Sequence, residues 1–343
     1  MKIAVLVPSK KKTGPVIVAA DQIKILIAHG HECKLFYFDD SDNELDFACK
    51  TEKISLKKRI VLEQYDIVHC HGARPCLYVF WHKNNQKNTK YITTVHCYVF
   101  KDFFMRYGVV KGVINAIVFL LAVSRFDTII ALSKDAVKYY KRIFFCKKIV
   151  NVYNSIDISV GKLALHEQKE LVTFKKGNIL LGMHGELDNN KGQHLIISQL
   201  KKMPQCNLFL LGTGKDMIKL KAFAIANGIE NRVLFAGFRK NAINYLPYYD
   251  IFLMLSRFEG CPLALLEAAA ANKKIVCSNI PVHKEIFSDT EVVFFDIDNP
   301  ESLVLAIEQA VKNPVEQPKL QKRVHDLFAP EAVCAKLLKI YNS

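Results

Sequence analysis

Short apolar runs and longer amphipathic stretches alternate along this chain from end to end. Residues 2–7 read as a first strand, and Lys10 to Pro15 as a loop containing Thr13-Gly14-Pro15. A helix is predicted from about Val16 to Ala28, closed by Gly30, and residues 33–38 form a second strand. Residues 66–70 (Asp-Ile-Val-His-Cys) form another strand, ending at His71-Gly72. Tyr91 to Val95 delivers His96 to a loop, and Thr128 to Leu132 precedes a helix capped by Ser133. Ile149 to Tyr153 leads into the turn Asn154-Ser155-Ile156-Asp157, and the polar stretch Ser159 to Lys176 reads as a linker. The pattern then restarts with runs at 179–183, 208–211, 233–236, 251–255, 274–277 and 292–295, and Ala329 to Tyr341 is helix-like. Strand and helix in alternation predict an α/β protein whose parallel sheets carry helices on both faces. A length of 343 residues accommodates two such domains, 1–160 and 173–328.

Hydrophobic content of 50% and charged content of 24% fit a globular protein. The ten cysteines include no Cys-x-x-Cys pair and read as reduced, mostly buried thiols of a cytosolic protein. The N-terminus reads as a strand rather than a signal segment, and no apolar run reaches the roughly 20 residues a bilayer span needs. The expected location is therefore cytoplasmic, with any membrane contact made from the side. The net charge of +15 is unevenly spread: between Ile67 and Val150 stand 14 Lys and Arg against Asp102, Asp127 and Asp135. Such a field attracts nucleic acid, anionic lipid or phosphorylated substrates. No nucleic-acid recognition motif accompanies it, and no nucleic-acid partner is expected. From Lys101 to Arg125, bases and aromatics (Lys101, Phe103, Phe104, Arg106, Tyr107, Lys111) precede an apolar stretch, Val113 to Val123. That stretch is about half a bilayer span. It reads either as an interfacial patch on anionic lipid or as a buried helix with a solvated basic edge.

The densest chemistry lies between Ser256 and Ala271. Glu259 follows the apolar run 251–255, Gly260 frees the backbone to turn, and Pro262 suits the first position of a helix from Leu263 to Ala271. The unpaired N–H groups of that helix start, through Cys261, Leu263 and Ala264, suit a phosphate or diphosphate. Glu267 stands alone in the apolar helix; a ribose diol would give its carboxylate two donors, whereas a plain Ala-rich core helix would turn it to water.

This span resembles the E-x7-E signature of the retaining glycosyltransferases of family 4, with Glu259 and Glu267 as the two carboxylates. The resemblance implies a GT-B fold: two Rossmann-like domains facing each other across a cleft, a nucleotide sugar between them, and the C-terminal helix 329–343 returning to the first domain. Gly185-Glu186-Leu187-x3-Lys191-Gly192 is similar to the element in which Arg and Lys neutralise the donor diphosphate, but Glu186 occupies the usual Arg position. The missing charge would come from Arg257 or Arg239, or donor binding would be weakened. Gly212, in Leu211-Gly212-Thr213-Gly214, matches the second-domain glycine loop. Phe238 and Arg239 match the segment that meets the base, Gly14 the phosphate-facing loop, and His96 the histidine near the reacting carbon of the donor sugar.

His69 and His71 share a strand face, yet two ligands complete no metal site. The triplets Asp40-Ser41-Asp42 and Asp296-Ile297-Asp298 read as structure, the second leading into Asn299 as N-cap and Pro300 at the first helical position. Neither metal nor bound cofactor is expected. The implied activity is retaining transfer of a hexose or N-acetylhexosamine from a nucleotide diphosphate sugar, most simply UDP-linked. The acceptor would be a growing, lipid-linked glycan at the inner face of a bacterial membrane, where the enzyme would sit peripherally. A non-catalytic nucleotide-sugar-binding subunit, motivated by Glu186, and a sugar-nucleotide epimerase on the same fold are the alternatives.

Overall fold

The structure, a computed structural model, describes all residues except 85–87, 145–146, 157–158 and 313–316. Asp157 of the expected turn therefore lies outside the described residues. The chain forms two units, Met1–Ser155 with Leu327–Ser343, and Ile156–Asp326.

The first unit runs β1 (Lys2–Ser9), α1 (Gly14–Ala28), β2 (Glu32–Asp39), β3 (Lys50–Lys53), β4 (Ile67–His71) and α2 (Ala73–His82). It continues through β5 (Lys90–Val95), α3 (Val99–Tyr107), α4 (Val109–Val123), β6 (Thr128–Ala131), α5 (Lys134–Lys141) and β7 (Lys148–Asn151). The strands are all parallel, in the order β3-β2-β1-β4-β5-β6-β7. Because helices cover both faces, β1 buries Ile3 to Val7 without alternation. Edge strand β3 has the sequence Lys-Thr-Glu-Lys; no apolar run announces it, and Lys34 of β2 pairs with its Glu52 at 2.8 Å.

The second unit begins with α6 (Leu165–Lys175), so the stretch expected as a linker is partly helical. The reason is local: Glu167 accepts the Ala164 N–H at 3.1 Å, and Leu171 is buried. Then follow β8 (Ile179–His184), α7 (Gln193–Leu200), β9 (Cys206–Leu211), α8 (Met217–Ala226), β10 (Val233–Gly237), β11 (Ile251–Met254) and α9 (Leu263–Ala270). The unit ends with β12 (Lys274–Ser278), α10 (Pro281–Ile286), β13 (Val293–Phe295) and α11 (Ser302–Lys312). Its parallel sheet has the order β10-β9-β8-β11-β12-β13. Both sheets reverse direction of winding once, between β1 and β4 and between β8 and β11, and the carboxyl ends at such a point are the natural ligand crevice of a doubly wound sheet.

After α12 (Gln317–Phe328), α13 (Pro330–Asn342) belongs to the first unit. Its Val333, Leu337, Ile340 and Tyr341 join a core with Val16, Ile23 and Leu26 of α1.

Three local expectations are corrected. Segment 101–125 is no simple buried helix: α4 buries Gly112, Ala116, Phe119, Ala122 and Val123, and leaves a continuous apolar stripe in solvent. Pro262 stands at the N-cap of α9 rather than inside it, because its carbonyl accepts the Leu265 and Leu266 N–H groups. Helix α11 starts at Ser302, two residues after Pro300, where the Ser302 hydroxyl bonds the Asn299 carbonyl at 2.7 Å. Among the described residues, seven of nine cysteines are buried and all nine are free. Among the same residues, no group of three His, Cys, Asp or Glu is placed to hold a metal, and no helix is long and apolar enough to cross a membrane.

Candidate functional site

At the winding reversal of the second unit, the loop after β8 meets the loop after β11. Gly192 makes the contact close: at φ +74, a Cβ on it would lie 2.3 Å from the Leu255 carbonyl oxygen. The Asp188 carboxylate accepts the Lys191 N–H at 3.1 Å and fixes the short turn between them. Asn190, buried, ties the loops together. Its carbonyl accepts the Arg257 N–H at 2.8 Å, its side-chain oxygen accepts the Phe258 N–H at 3.1 Å, and its amide donates to the Phe258 carbonyl at 3.0 Å.

This clamp brings the Lys191 ammonium 2.6 Å from the Glu259 carboxylate, with side-chain exposures of 26% and 12%. Burial pushes the Glu259 carboxyl up, but the charge and hydrogen bond of Lys191 and the Ser256 hydroxyl outweigh it, and the net shift is downward. Burial likewise pulls Lys191 down, and Glu259, with Asp188 and Glu186, more than restores it. The pair is thus charged on both sides. An ammonium has three donors, and Glu259 takes one. Behind Glu259, the Ser278 hydroxyl donates to the Ser256 carbonyl at 2.6 Å, and the buried His283 places its Nδ1 2.9 Å from the Ser278 carbonyl. Burial takes His283 down to about 4, so a neutral ring stands there, electrostatically coupled to Glu259.

Helix α9 opens beside the pair. Gly260 and Cys261 are buried; Leu263, Ala264 and Glu267 share its less buried stripe, the spacing expected of one helical face. Pro262 offers no side-chain cap, so the opening turn relies on other partners. Arg257 and Glu186 are exposed. Arg239 is engaged by Glu170 of α6 at 3.2 Å, and Phe238 is half exposed. The close approach made by Gly212 is to its own protein: at φ +144, a Cβ would lie 1.8 Å from the Gly185 carbonyl oxygen, and its N–H donates to the Gly237 carbonyl at 2.8 Å.

In the first unit, Gly14 is the exposed first residue of α1, with open space where a Cβ would be. His96 leaves the end of β5 half-buried, its Nε2 3.0 Å from Nδ1 of the fully buried His71. His69 is held by Thr94 at 2.8 Å and by Tyr341 at 2.7 Å. The structure thus joins Lys191, Glu259, Gly260 and the start of α9 in one place, leaves Arg257 in solvent and gives Arg239 another partner. Asn190, Ser256 and His283 escaped the sequence reading, which took His71 only as a strand residue beside His69. Only Asn190 carried a signal, as a polar residue inside the Asp-Asn-Asn-Lys-Gly turn.

The family description Glycosyl transferases group 1 matches residues 166–326, and Glycosyltransferase Family 4 matches residues 13–160. The O-antigen biosynthesis glycosyltransferase WclY of Escherichia coli is 33% identical over 351 residues, covering 100% of this chain and 98% of that one. The N-acetylgalactosamine-N,N'-diacetylbacillosaminyl-diphospho-undecaprenol 4-alpha-N-acetylgalactosaminyltransferase of Campylobacter jejuni is 30% identical over 183 residues, 51% of this chain and 47% of that one. The structure of Anabaena HepE in complex with UDP and glucose superposes with a TM-score of 0.79 at 18% identity, both chains being covered in full, and shares the fold.

Two outcomes follow from the clamp. Asn190→Ala leaves the Phe258 backbone groups unpaired and lowers stability by about 1–3 kcal/mol, read as a lower urea midpoint at unchanged slope. Lys191→Met strands the Glu259 charge and costs about 2–3 kcal/mol at pH 7, less than a fully buried pair because Lys191 reaches solvent. Glu259 is lowered in the wild type, so its contribution is complete above the unfolded value of about 4.3 and is lost as pH falls through the lower folded value. The stability gap between wild type and Lys191→Met should therefore shrink below about pH 4; a gap independent of pH from 7 to 3 would remove the pair from this account.

Proposed function

The chain belongs to the group 1 and family 4 glycosyltransferases and has the GT-B fold; from that premise we propose that it acts in surface-polysaccharide synthesis, by a retaining, metal-independent transfer of a hexose or N-acetylhexosamine from a UDP-sugar to a lipid-linked glycan. The observation that carries this reading is the Lys191–Glu259 pair at the carboxyl ends of β8 and β11, beside the start of α9.

In this reading the diphosphate takes the two remaining donors of Lys191 and the N–H groups of Leu263 and Ala264. They stabilise the charge that develops on the leaving group, without a divalent cation. Gly14 at the start of α1 leaves room for a phosphate. Glu267, one turn along the half-buried stripe of α9, holds the ribose hydroxyls. Glu259 accepts from hydroxyls of the donor sugar while Lys191 keeps it charged. His96 serves the sugar near its reacting carbon, and Gly212, Phe238 and Arg239 border the base. UDP is favoured because HepE, of the same fold, binds UDP and glucose.

The Campylobacter relative acts on a diphospho-undecaprenol-linked glycan by its name, and an acceptor of that kind sits at a membrane face. Helix α4 fits such a face. Val110, Ile114, Ile117, Val118 and Leu121 form one stripe at helical spacing, 42–73% exposed. Phe104 and Tyr107 extend it, and Lys101, Arg106 and Lys111 are exposed around it. Apolar residues ringed by bases suit an anionic lipid surface, each nearby base adding roughly 1 kcal/mol.

Thermal shift tests the donor site. UDP at about 100 times its Kd stabilises by about 2.7 kcal/mol, GDP and ADP do less, and Glu267→Ala loses the effect; no shift with any nucleotide would mean that Glu186 has cost the chain its donor site and would overturn this reading. EDTA should leave turnover unchanged. Sedimentation with vesicles tests the docking face: the protein pellets with anionic and not with neutral lipid, and Ile114→Glu with Ile117→Glu abolishes it. Equal binding to both lipids, or to neither, overturns the membrane surface.

A further inference from the structure

We infer that His71 is a positioning residue that holds His96 as its Nδ1–H tautomer, so that His96 offers a hydrogen-bond donor, and no base, to a substrate oxygen. The inference rests on the reading of His96 given above and adds a residue and a chemical role to it.

His71 lies on β4 with no exposure, and its Nδ1 stands 3.0 Å from His96 Nε2. One proton occupies that contact, and its owner is set by the other nitrogen of His71. His71 Nε2 is buried with no partner among the described residues. If His96 donated, His71 Nε2 would carry a buried N–H with no acceptor, the rarest and costliest kind of orphan. If His71 donates, Nε2 is a bare lone pair, which the interior tolerates better. The proton therefore belongs to His71 Nδ1, His96 Nε2 accepts it, and the proton of His96 sits on Nδ1. His96 is half-buried, and its Nδ1 has no hydrogen-bond partner among the described residues.

The remaining way out, a second proton on either ring, is closed by the surroundings. Burial takes His96 down to about 3, and burial with the His69 and His96 rings beside it holds His71 well below its ordinary value. His71 cannot rotate to reverse its nitrogens freely, because the His69 ring lies 4.5 Å away, tilted 36° to it. His69 is itself pinned at both nitrogens, by Thr94 of β5 and Tyr341 of α13. A neutral N–H donor matches a sugar hydroxyl or phosphate oxygen; it cannot take a proton from an acceptor hydroxyl.

Long-range proton–nitrogen correlation spectra of histidine-labelled full-length protein read the tautomer directly. Wild type should show His96 protonated on Nδ1 at neutral pH. His71→Asn, whose amide replaces the donor at the Nδ1 position, should keep that tautomer and most of the turnover. His71→Leu removes that donor, so His96 should no longer be fixed in one form but show both neutral tautomers, and kcat should fall about tenfold or more, the scale of losing an orienting partner, with KM for the donor little changed. A His96 ring found protonated on Nε2 in the wild type, or unaltered by His71→Leu, overturns the inference. A tautomer that moves while kcat holds supports the hydrogen-bond assignment and overturns instead the placing of His96 at the reacting sugar.

Discussion

The Lys191–Glu259 contact organises the second unit's chemistry, and it exists because two loops are held closer than their side chains alone would bring them. A half-buried carboxylate and a half-buried ammonium are each unfavourable singly, and together they form a stable charged element. Asn190 supplies the alignment with three hydrogen bonds, and Gly192 supplies the proximity by having no Cβ. Neither carries charge, yet the charged pair depends on both. The Ser256–Ser278–His283 layer behind Glu259 is neutral, so Lys191 supplies the formal positive charge that faces the carboxylate.

Much of the fold was legible because the sheets are parallel and covered on both faces, which writes strands as plain apolar runs. The runs at 2–7, 66–70, 91–95 and 251–255 coincide with β1, β4, β5 and β11 for that reason. β3 was invisible because an edge strand of four charged and polar residues needs only backbone partners. α6 was masked by its polarity, with Leu171 its one buried residue, and only the Glu167 cap hinted at a helix. α4 was ambiguous because a helix that is apolar all round has the same composition whether one face or two are covered.

The site divides along a similar line. Charged residues next to glycines, at strand ends, announce themselves, and so Lys191 and Glu259 were readable. Their contact was not, since 68 residues separate them and nothing local encodes the distance. Arg239 could be named, but not its engagement with Glu170, which comes from α6, a helix the sequence hid. His71 was read as a strand residue with a partner at i−2; its real partner lies across the sheet, beyond the end of β5.

Both units wind in the same order, so their loops have equivalent addresses. The end of β4, with His71, stands in the first sheet where the end of β11, leading to Glu259, stands in the second; His96 after β5 is the counterpart of the turn after β12. One frame thus carries two electrical characters: formal charges in one unit, uncharged rings in the other. The sheet decides where polar groups stand and is indifferent to their charge, because strand pairing is a backbone matter. A protein built this way can change what it attracts at one address by exchanging a side chain, without rewriting the scaffold that presents it.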